Sequence, residues 1–95
     1  MKHAGPDALD QLEPILVEIR RLDGLKEKKR GSFYSRAGGF LHFHEDPAGF
    51  FADLKVGDDY VRLPINSKAQ TQTFLRRAAA ALNSVKSGRR RAGVE

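Results

Sequence analysis

The fold is decided by residues 40–56, FLHFHEDPAGFFADLKV, which we expect to form a β-hairpin. Two runs rich in aromatic and apolar residues flank Asp46-Pro47-Ala48-Gly49. The proline fixes φ for a turn, and the glycine tolerates the positive φ that closes it. The stretch therefore predicts two antiparallel strands around which the rest of the chain is arranged.

The loop length sets the register of this hairpin, because a four-residue loop fixes which residues lie opposite each other. The predicted pairs are Glu45 with Phe50, Phe43 with Ala52 and Leu41 with Leu54 on a core face, and His44 with Phe51, His42 with Asp53 and Phe40 with Lys55 on an outer face. A slip of one residue would bury Asp53 and Lys55, and unpaired buried charges are costly. The alternation thus favours one register.

Length and composition limit the protein class. A chain of 95 residues suits one domain with a modest core. The absence of cysteine excludes disulfides, thiolate metal sites and cysteine nucleophiles. No apolar run approaches the roughly 20 residues that span a bilayer. The first residues lack the apolar region of a secretory signal. We therefore expect a cytoplasmic protein with no membrane partner.

The net charge of +5 is unevenly distributed. Residues 86–95 contain four basic residues against Glu95, a net +3. A second basic cluster covers residues 26–30, which we interpret as a linker. We expect a disordered N-terminus over residues 1–6, a single domain over residues 7–88, and a basic disordered tail over residues 89–95.

Two amphipathic helices flank the predicted strands. The first carries apolar residues at spacings of three and four, namely Leu9, Leu12, Ile15, Leu16, Ile19 and Leu22. Because proline disrupts a helix interior, its firm part should begin near Glu13 or Pro14, with Gly24 ending it. The second should begin at a capping box formed by Ser67 and Gln70 and stop at Ser87-Gly88.

Two further strands complete the predicted sheet, one over residues 32–36 and one over residues 60–65. The connection Ala37-Gly38-Gly39 would pair Tyr34 with His42, and Pro64 suits an edge strand. The sequence thus predicts an α+β two-layer sandwich in the order helix, four-strand antiparallel meander, helix. Both helices would cover one sheet face and leave the other open.

The uncovered face supplies the candidate binding residues, which are Tyr34, Arg36, Phe40, His42, His44, Phe51, Asp53, Lys55 and Arg62, with Tyr60 beside them. Aromatic rings among cations are typical of open sheets that stack bases and neutralise phosphates. A small module that binds single-stranded nucleic acid is one expected function. The basic tail would add non-specific attraction.

The same face permits two alternatives. Exposed rings are also common in protein interfaces, so self-association or binding of another protein is weighed equally, with a monomer or weak homodimer expected. His42, His44 and Asp53 could instead form a metal or acid–base site, with Asp53 raising the pKa of His42. No nucleophile accompanies them. An enzyme therefore ranks lower, and we expect no cofactor and no resident metal.

The stretch FLHFHED followed by Gly49 resembles one in short uncharacterised bacterial proteins of similar size. The order of elements also resembles the MmcQ/YjbR family. That resemblance implies a fold similar to the frataxin-like one and a suggested role in DNA binding. It implies no individual functional residue.

Overall fold

The structure is a computed structural model that describes the backbone of residues 1–94 and the side chains of residues 1–87. The elements are β1 (Lys2–His3), α1 (Pro6–Arg20), β2 (Lys26–Lys29), β3 (Ser32–Ser35), β4 (Gly38–Asp46), β5 (Gly49–Val56), β6 (Asp59–Pro64) and α2 (Lys68–Val94). The predicted α+β class, with two helices on an antiparallel sheet, is confirmed. The predicted count of four strands is wrong, because the described chain forms six.

The sheet has the order β2-β3-β4-β5-β6, with β1 as a short additional partner of β4. β3 pairs with β4 up to His42, whereas β1 pairs with its far end through Lys2 with Glu45 and His3 with His44. Because β5 occupies the other edge of β4, β1 and β3 lie in one line along the same edge. This line leaves a short gap between them.

Both additional strands come from segments that the sequence analysis treats as irregular. β2 has the sequence KEKK and lies at the sheet edge, where lysines discourage pairing with a further strand. β1 lies within the residues expected to be disordered. The Ala4 amide donates to the Phe43 carbonyl at 3.0 Å, and the Gly5 amide donates to Glu45 Oε2 at 2.7 Å. These bonds tie the N-terminal segment to β4.

The central hairpin has the predicted register. Five of the six predicted pairs are present, and the exception is Phe40 with Lys55. Pairing continues to Asp46 with Gly49. The Asp46 side chain accepts a hydrogen bond from the Ala48 amide at 2.9 Å. Gly49 has φ of +130°, so the turn needs a residue without a side chain there. Proline, aspartate and glycine together therefore fix this turn.

The register between β3 and β4 differs from the prediction. Ser32, rather than Tyr34, lies opposite His42, and a bulge separates the pair Phe33–Leu41 from the pair Tyr34–Gly39. The bulge leaves one additional residue, Phe40, on β4. Its side chain is 0 % exposed and belongs to the core. The prediction of Phe40 on the outer face is therefore wrong.

One core fills the space between the sheet and both helices. It contains Leu12, Leu16 and Ile19 from α1, Phe74, Ala78, Ala81 and Leu82 from α2, and Phe33, Phe40, Leu41, Phe43, Ala52, Leu54 and Ile65 from the sheet and its end. Since residues of both helices share this cluster with alternate strand residues, both helices cover the same sheet face. Among the described residues, no helix covers the opposite face.

The helix boundaries differ in detail from the prediction. α1 begins at Pro6 and continues through Pro14, which is exposed, so water can reach the carbonyl that the proline leaves unpaired. At α2, Ser67 Oγ accepts from the Gln70 amide as predicted, at 3.1 Å. The Gln70 side chain, however, accepts from the Asn66 amide rather than from that of Ser67.

α2 extends past the predicted stop at Ser87-Gly88. The prediction of a basic disordered tail concerns residues 89–95, which lie outside the described side chains. Within the described part of the chain, neither helix is long and apolar enough to cross a membrane.

Candidate binding face

The outer face is the sheet face turned away from α1 and α2. Strand pairing arranges its side chains in rows across the sheet, namely His3, His44, Phe51 and Pro64; Ser32, His42, Asp53 and Arg62; Lys26, Tyr34 and Gly39; and Lys55 with Tyr60. The rows bring residues from all six strands onto one surface. All of these residues belong to strands, so strand pairing rather than a loop fixes their positions.

The candidate residues from the sequence fall into three groups. Seven lie on the outer face, namely Tyr34, His42, His44, Phe51, Asp53, Lys55 and Arg62. Phe40 is in the core. Arg36 lies in the turn between β3 and β4, where it lines a groove of about 510 Å³ with Lys26, Lys28 and Tyr34. Arg36 is therefore at the border of the outer face.

A cluster of rings occupies the middle of the outer face. The His42 ring centroid lies 6.1 Å from that of Tyr34, 6.0 Å from that of Tyr60 and 6.3 Å from that of His3. The rings of His3 and His44 are 4.7 Å apart. All three histidines of the chain thus meet here. His3 is not among the residues predicted from the sequence, because a two-residue strand has no periodicity to reveal it.

Gly39 makes room for this cluster. A Cβ atom at Gly39 would lie 2.8 Å from the Tyr60 hydroxyl oxygen and 3.5 Å from His42 Nε2. The first distance is too short for a carbon–oxygen contact, so a side chain here would displace the tyrosine. The glycine therefore lets the Tyr60 hydroxyl lie close to the β4 backbone.

Asp53 is held by Arg62 rather than by a histidine. Arg62 donates to both carboxylate oxygens of Asp53, at 2.7 and 2.8 Å. These bonds lower the pKa of Asp53 and raise the pKa of Arg62. His44 Nδ1 lies 3.4 Å from Asp53 Oδ2 without forming a hydrogen bond. The carboxylate is consequently ionised and paired.

Burial lowers the pKa of His42, the neighbouring His3 lowers it further, and Asp53 only partly opposes them. The predicted rise in the pKa of His42 is therefore wrong. Burial also lowers the pKa of His44, again against the influence of Asp53. Both rings are favoured as neutral imidazoles at pH 7.

The metal and acid–base alternatives both need Asp53 beside the histidines. Each of its two oxygens accepts a hydrogen bond from Arg62, and Oδ2 lies 3.4 Å from His44 Nδ1. Among the side chains of residues 1–87, no group of three or more histidine, aspartate or glutamate residues is placed to hold a metal ion. The local arrangement is that of a polar and aromatic surface.

The basic segment 26–30 divides its charges between the two faces. Glu27 lies opposite Phe33 and binds Arg20 at 2.7 Å, while Arg30 binds Asp10 and Glu13, each at 2.8 Å. A bulge in β2 follows Glu27. Lys26 and Lys29 lie opposite the outer-face residues Tyr34 and Ser32, and Lys28 Nζ lies 4.4 Å above the Tyr34 ring.

Three lysines of β2 thus border the outer face, and none has an ion-pair partner among the described side chains. The sequence shows their charge but gives no sign of the strand that orients them. Because Arg20 and Arg30 take up the nearby carboxylates, the lysines keep their charge available to a ligand.

Comparison with known proteins adds no relative: no family model, no curated protein and no solved structure matches this chain.

Proposed function

We propose that the outer face binds single-stranded nucleic acid. The observation that carries this proposal is the cluster of rings formed by Tyr34, His42 and Tyr60, bordered by lysines that have no carboxylate partner among the described side chains. Rings stack on bases, and ammonium groups neutralise phosphates. The two kinds of group lie within one surface, as a strand with alternating bases and phosphates requires.

The exposure of the rings supports stacking as their role. Tyr60 is 46 % exposed, and Tyr34 and His42 are half-buried beside it. A ring that is partly buried is held in position, so little entropy is lost when a base covers it. Stacking contributes about 1–3 kcal/mol per base, which is enough for two or three bases to give micromolar binding together with phosphate contacts.

The cations surround the rings. Lys26 and Lys28 lie on the β2 side with Arg36 at the turn, and Lys55 pairs with Tyr60 on the β6 side. Asp53, the carboxylate in the middle of the face, is neutralised by Arg62. A strand crossing from β2 to β6 would therefore meet positive charge at both ends. A duplex keeps its bases stacked internally, which favours a single strand as the ligand.

The proposal is tested by fluorescence anisotropy with a labelled dT12 oligonucleotide and the matching duplex. Tyr60→Ala should weaken single-strand binding about tenfold, since one stacking contact is lost. Tyr60→Phe keeps the ring and should bind nearly as the parent does. If both variants bind equally, the ring is not a stacking platform, and the proposal fails.

The salt dependence separates phosphate contacts from stacking. Lys28→Gln should reduce the slope of log affinity against log salt by about 0.7, the value for one phosphate contact on a single strand. Lys68→Gln removes the same charge from α2, on the helix side, and should leave the slope unchanged. Light scattering on the same samples detects self-association. A dimer buried through the outer face, with no oligonucleotide binding at low salt, would replace the proposal by the self-association alternative.

The basic tail needs its own control, because it can attract any polyanion. Deleting residues 89–95 should flatten the salt dependence and preserve the difference between Tyr60→Ala and Tyr60→Phe. If binding disappears with the tail alone, the outer face is not the nucleic-acid surface.

A further inference from the structure

A cleft of about 220 Å³ lies at the gap between β1 and β3 along the edge of β4. Its polar lining includes His3, Lys29, Arg30, Ser32, Tyr34 and His42, from four different strands or their ends. Its apolar lining includes Leu9 and Phe43, which pack in or against the core. The gap exists because β1 and β3 share one edge of β4 without meeting.

We propose that this cleft binds a phosphate monoester. Among the described side chains, every polar group that lines the cleft can donate a hydrogen bond, because the lining offers imidazoles, hydroxyls and cations and contains no carboxylate. Such a set suits an oxyanion with several acceptor oxygens. This proposal deepens the proposed function. It rests on that function only if the phosphate belongs to the 5′ end of a bound strand.

One cation in the cleft remains unpaired. Arg30 also lines the cleft, but Asp10 and Glu13 bind its guanidinium. Lys29 lies opposite Ser32 and has no ion-pair partner among the described side chains. The Lys29 ammonium is therefore the charge in this cleft that is available to balance an anion.

The size of the cleft limits the ligand. At about 30 Å³ per water molecule, the cleft holds about seven waters, and it is smaller than the roughly 300–1,000 Å³ of pockets for drug-sized ligands. A phosphate group fits inside the cleft, and the rest of a larger ligand would extend out of it. Tyr34 and His42 line the cleft and also belong to the ring cluster. A nucleoside attached to the phosphate would therefore lie against the rings of the outer face.

Binding should depend on pH, because an anion favours the charged form of an imidazole. The titratable or charged groups that face His42 are His3, Tyr34, His44, Asp53, Tyr60 and Arg62, with Lys29 across the cleft. Asp53 is already occupied by Arg62. The bound oxyanion would be the main new negative charge near the His42 ring, so its binding should be tighter at pH 6 than at pH 8.

Titration with sodium sulfate tests the cleft without nucleic acid, since sulfate stays a dianion across this pH range while a phosphate monoester titrates near pH 6. The expected result is a shift of the ring proton resonances of His3 and His42, with tighter binding at pH 6. Lys29→Gln should weaken binding roughly tenfold, the effect of losing one charged hydrogen bond. Lys68→Gln, with the same charge change on α2, should have no effect.

Tyr34→Phe provides a second variant, which removes one donor and keeps the ring. It should weaken sulfate binding and preserve the near-native fold by circular dichroism. The cleft proposal is overturned if sulfate leaves both histidine resonances unchanged, or if Lys29→Gln and Lys68→Gln weaken binding equally. In either case strand binding through Tyr60 could persist, and the proposed function would stand without the cleft.

Two further probes identify the source of the phosphate. If the cleft holds the end of a strand, dT8 with a 5′-phosphate should bind more tightly than dT8 with a 5′-hydroxyl, and Lys29→Gln should abolish the difference. If sulfate and thymidine 5′-monophosphate bind at the cleft while neither oligonucleotide binds, the cleft proposal is supported with a small phosphate ester as its ligand. The nucleic-acid function then fails.

Discussion

The two faces of the sheet are built from the same strands and have opposite properties. On the covered face, Leu41, Phe43 and Leu54 are at most 3 % exposed and belong to the apolar core. On the outer face, the alternating positions carry His42, which contacts neighbouring rings, and Asp53, which forms an ion pair with Arg62. Period-two alternation produces both faces at once. Alternate residues of one strand therefore serve two purposes, with one set stabilising the core and the other facing a ligand.

The comparison has an energetic side. Burial of the apolar face is the main source of stability, since each fully buried large side chain contributes about 1.5–3 kcal/mol. Polar contacts on a partly exposed surface contribute less, because water competes for them. We therefore expect substitutions to separate by face, with unfolding affected on one side and binding on the other.

The largest expected effect on stability is that of Phe40→Ala, which we compare with Phe51→Ala in the same hairpin. Phe40→Ala should reduce the free energy of unfolding by about 3–5 kcal/mol, because it leaves a cavity in the core. Phe51→Ala, a half-buried position opposite His44 on the outer face, should cost about 1 kcal/mol. Urea unfolding followed by circular dichroism measures both. Equal losses would mean that the bulge at Phe40 is not present in solution.

Asp53→Asn is expected to have a smaller effect on stability. It weakens the paired hydrogen bonds to Arg62, and because that arginine is half exposed, the loss should be up to about 1 kcal/mol. The same change removes the charge that supports the imidazolium forms, so the pKa values of both His42 and His44 should fall. The shift should be greater for His44, whose ring lies 3.4 Å from the carboxylate.

A proton titration of the ring resonances checks this ordering. Asp53→Glu serves as the control that keeps the charge. A greater fall for His42 would contradict the arrangement in which Arg62 and His44 lie closest to the carboxylate.

Stability should also depend on pH through the ring cluster. His42 and His44 have folded-state pKa values below the unfolded value of about 6.5. At pH values between the folded and the unfolded pKa, the unfolded chain binds more protons than the folded chain, so the free energy of unfolding falls as pH decreases. The loss of stability is complete below the folded pKa values. Urea unfolding from pH 8 to pH 5.5 measures the slope.

The variant His42→Gln isolates the contribution of one ring. It should flatten the slope in this pH range, whereas a slope unchanged by the substitution would assign the pH dependence to other groups. Asp53 does not interfere there, since its lowered pKa places its contribution at more acidic pH, where stability is lost as the carboxylate becomes protonated.

The smallest expected effect on stability is that of Gly39→Ala. The new methyl group meets the end of the Tyr60 side chain, which can rotate away, so stability should change by no more than about 0.5 kcal/mol. The Tyr60 ring resonances should nevertheless shift, and dT12 binding should weaken. Unchanged Tyr60 resonances would contradict the close approach of its hydroxyl to β4.

The two hairpins show which parts of the fold the sequence predicts. The turn Asp46-Pro47-Ala48-Gly49 combines a fixed φ, an aspartate cap and one glycine at positive φ, so it allows one register, and that register is confirmed. The connection Ala37-Gly38-Gly39 has no such restriction. Several turns are compatible with it, and the bulge that buries Phe40 leaves no signature in an alternating pattern.

The sequence predicts the face on which the candidate site lies better than it predicts which residues belong to the site. The alternation of β4 and β5 places His42, His44 and Asp53 on one face, as the structure does. Two short strands then add His3 and the three lysines of β2. KEKK lacks apolar residues, so its strand arises from edge pairing rather than from its own pattern. The pKa of His42 was mispredicted because burial outweighs a carboxylate that Arg62 already binds.

Mapping amide chemical shifts during titration of the ¹⁵N-labelled protein with dT8 tests whether the outer face is the ligand surface. We expect shifts at Tyr34, His42 and Tyr60 and along β2, with α1 and α2 unaffected through residue 87. Loss of these shifts in Tyr60→Ala, and their retention in Tyr60→Phe, would assign them to stacking. Shifts confined to the helices or to residues 88–95, or no shifts at low salt, would contradict the claim.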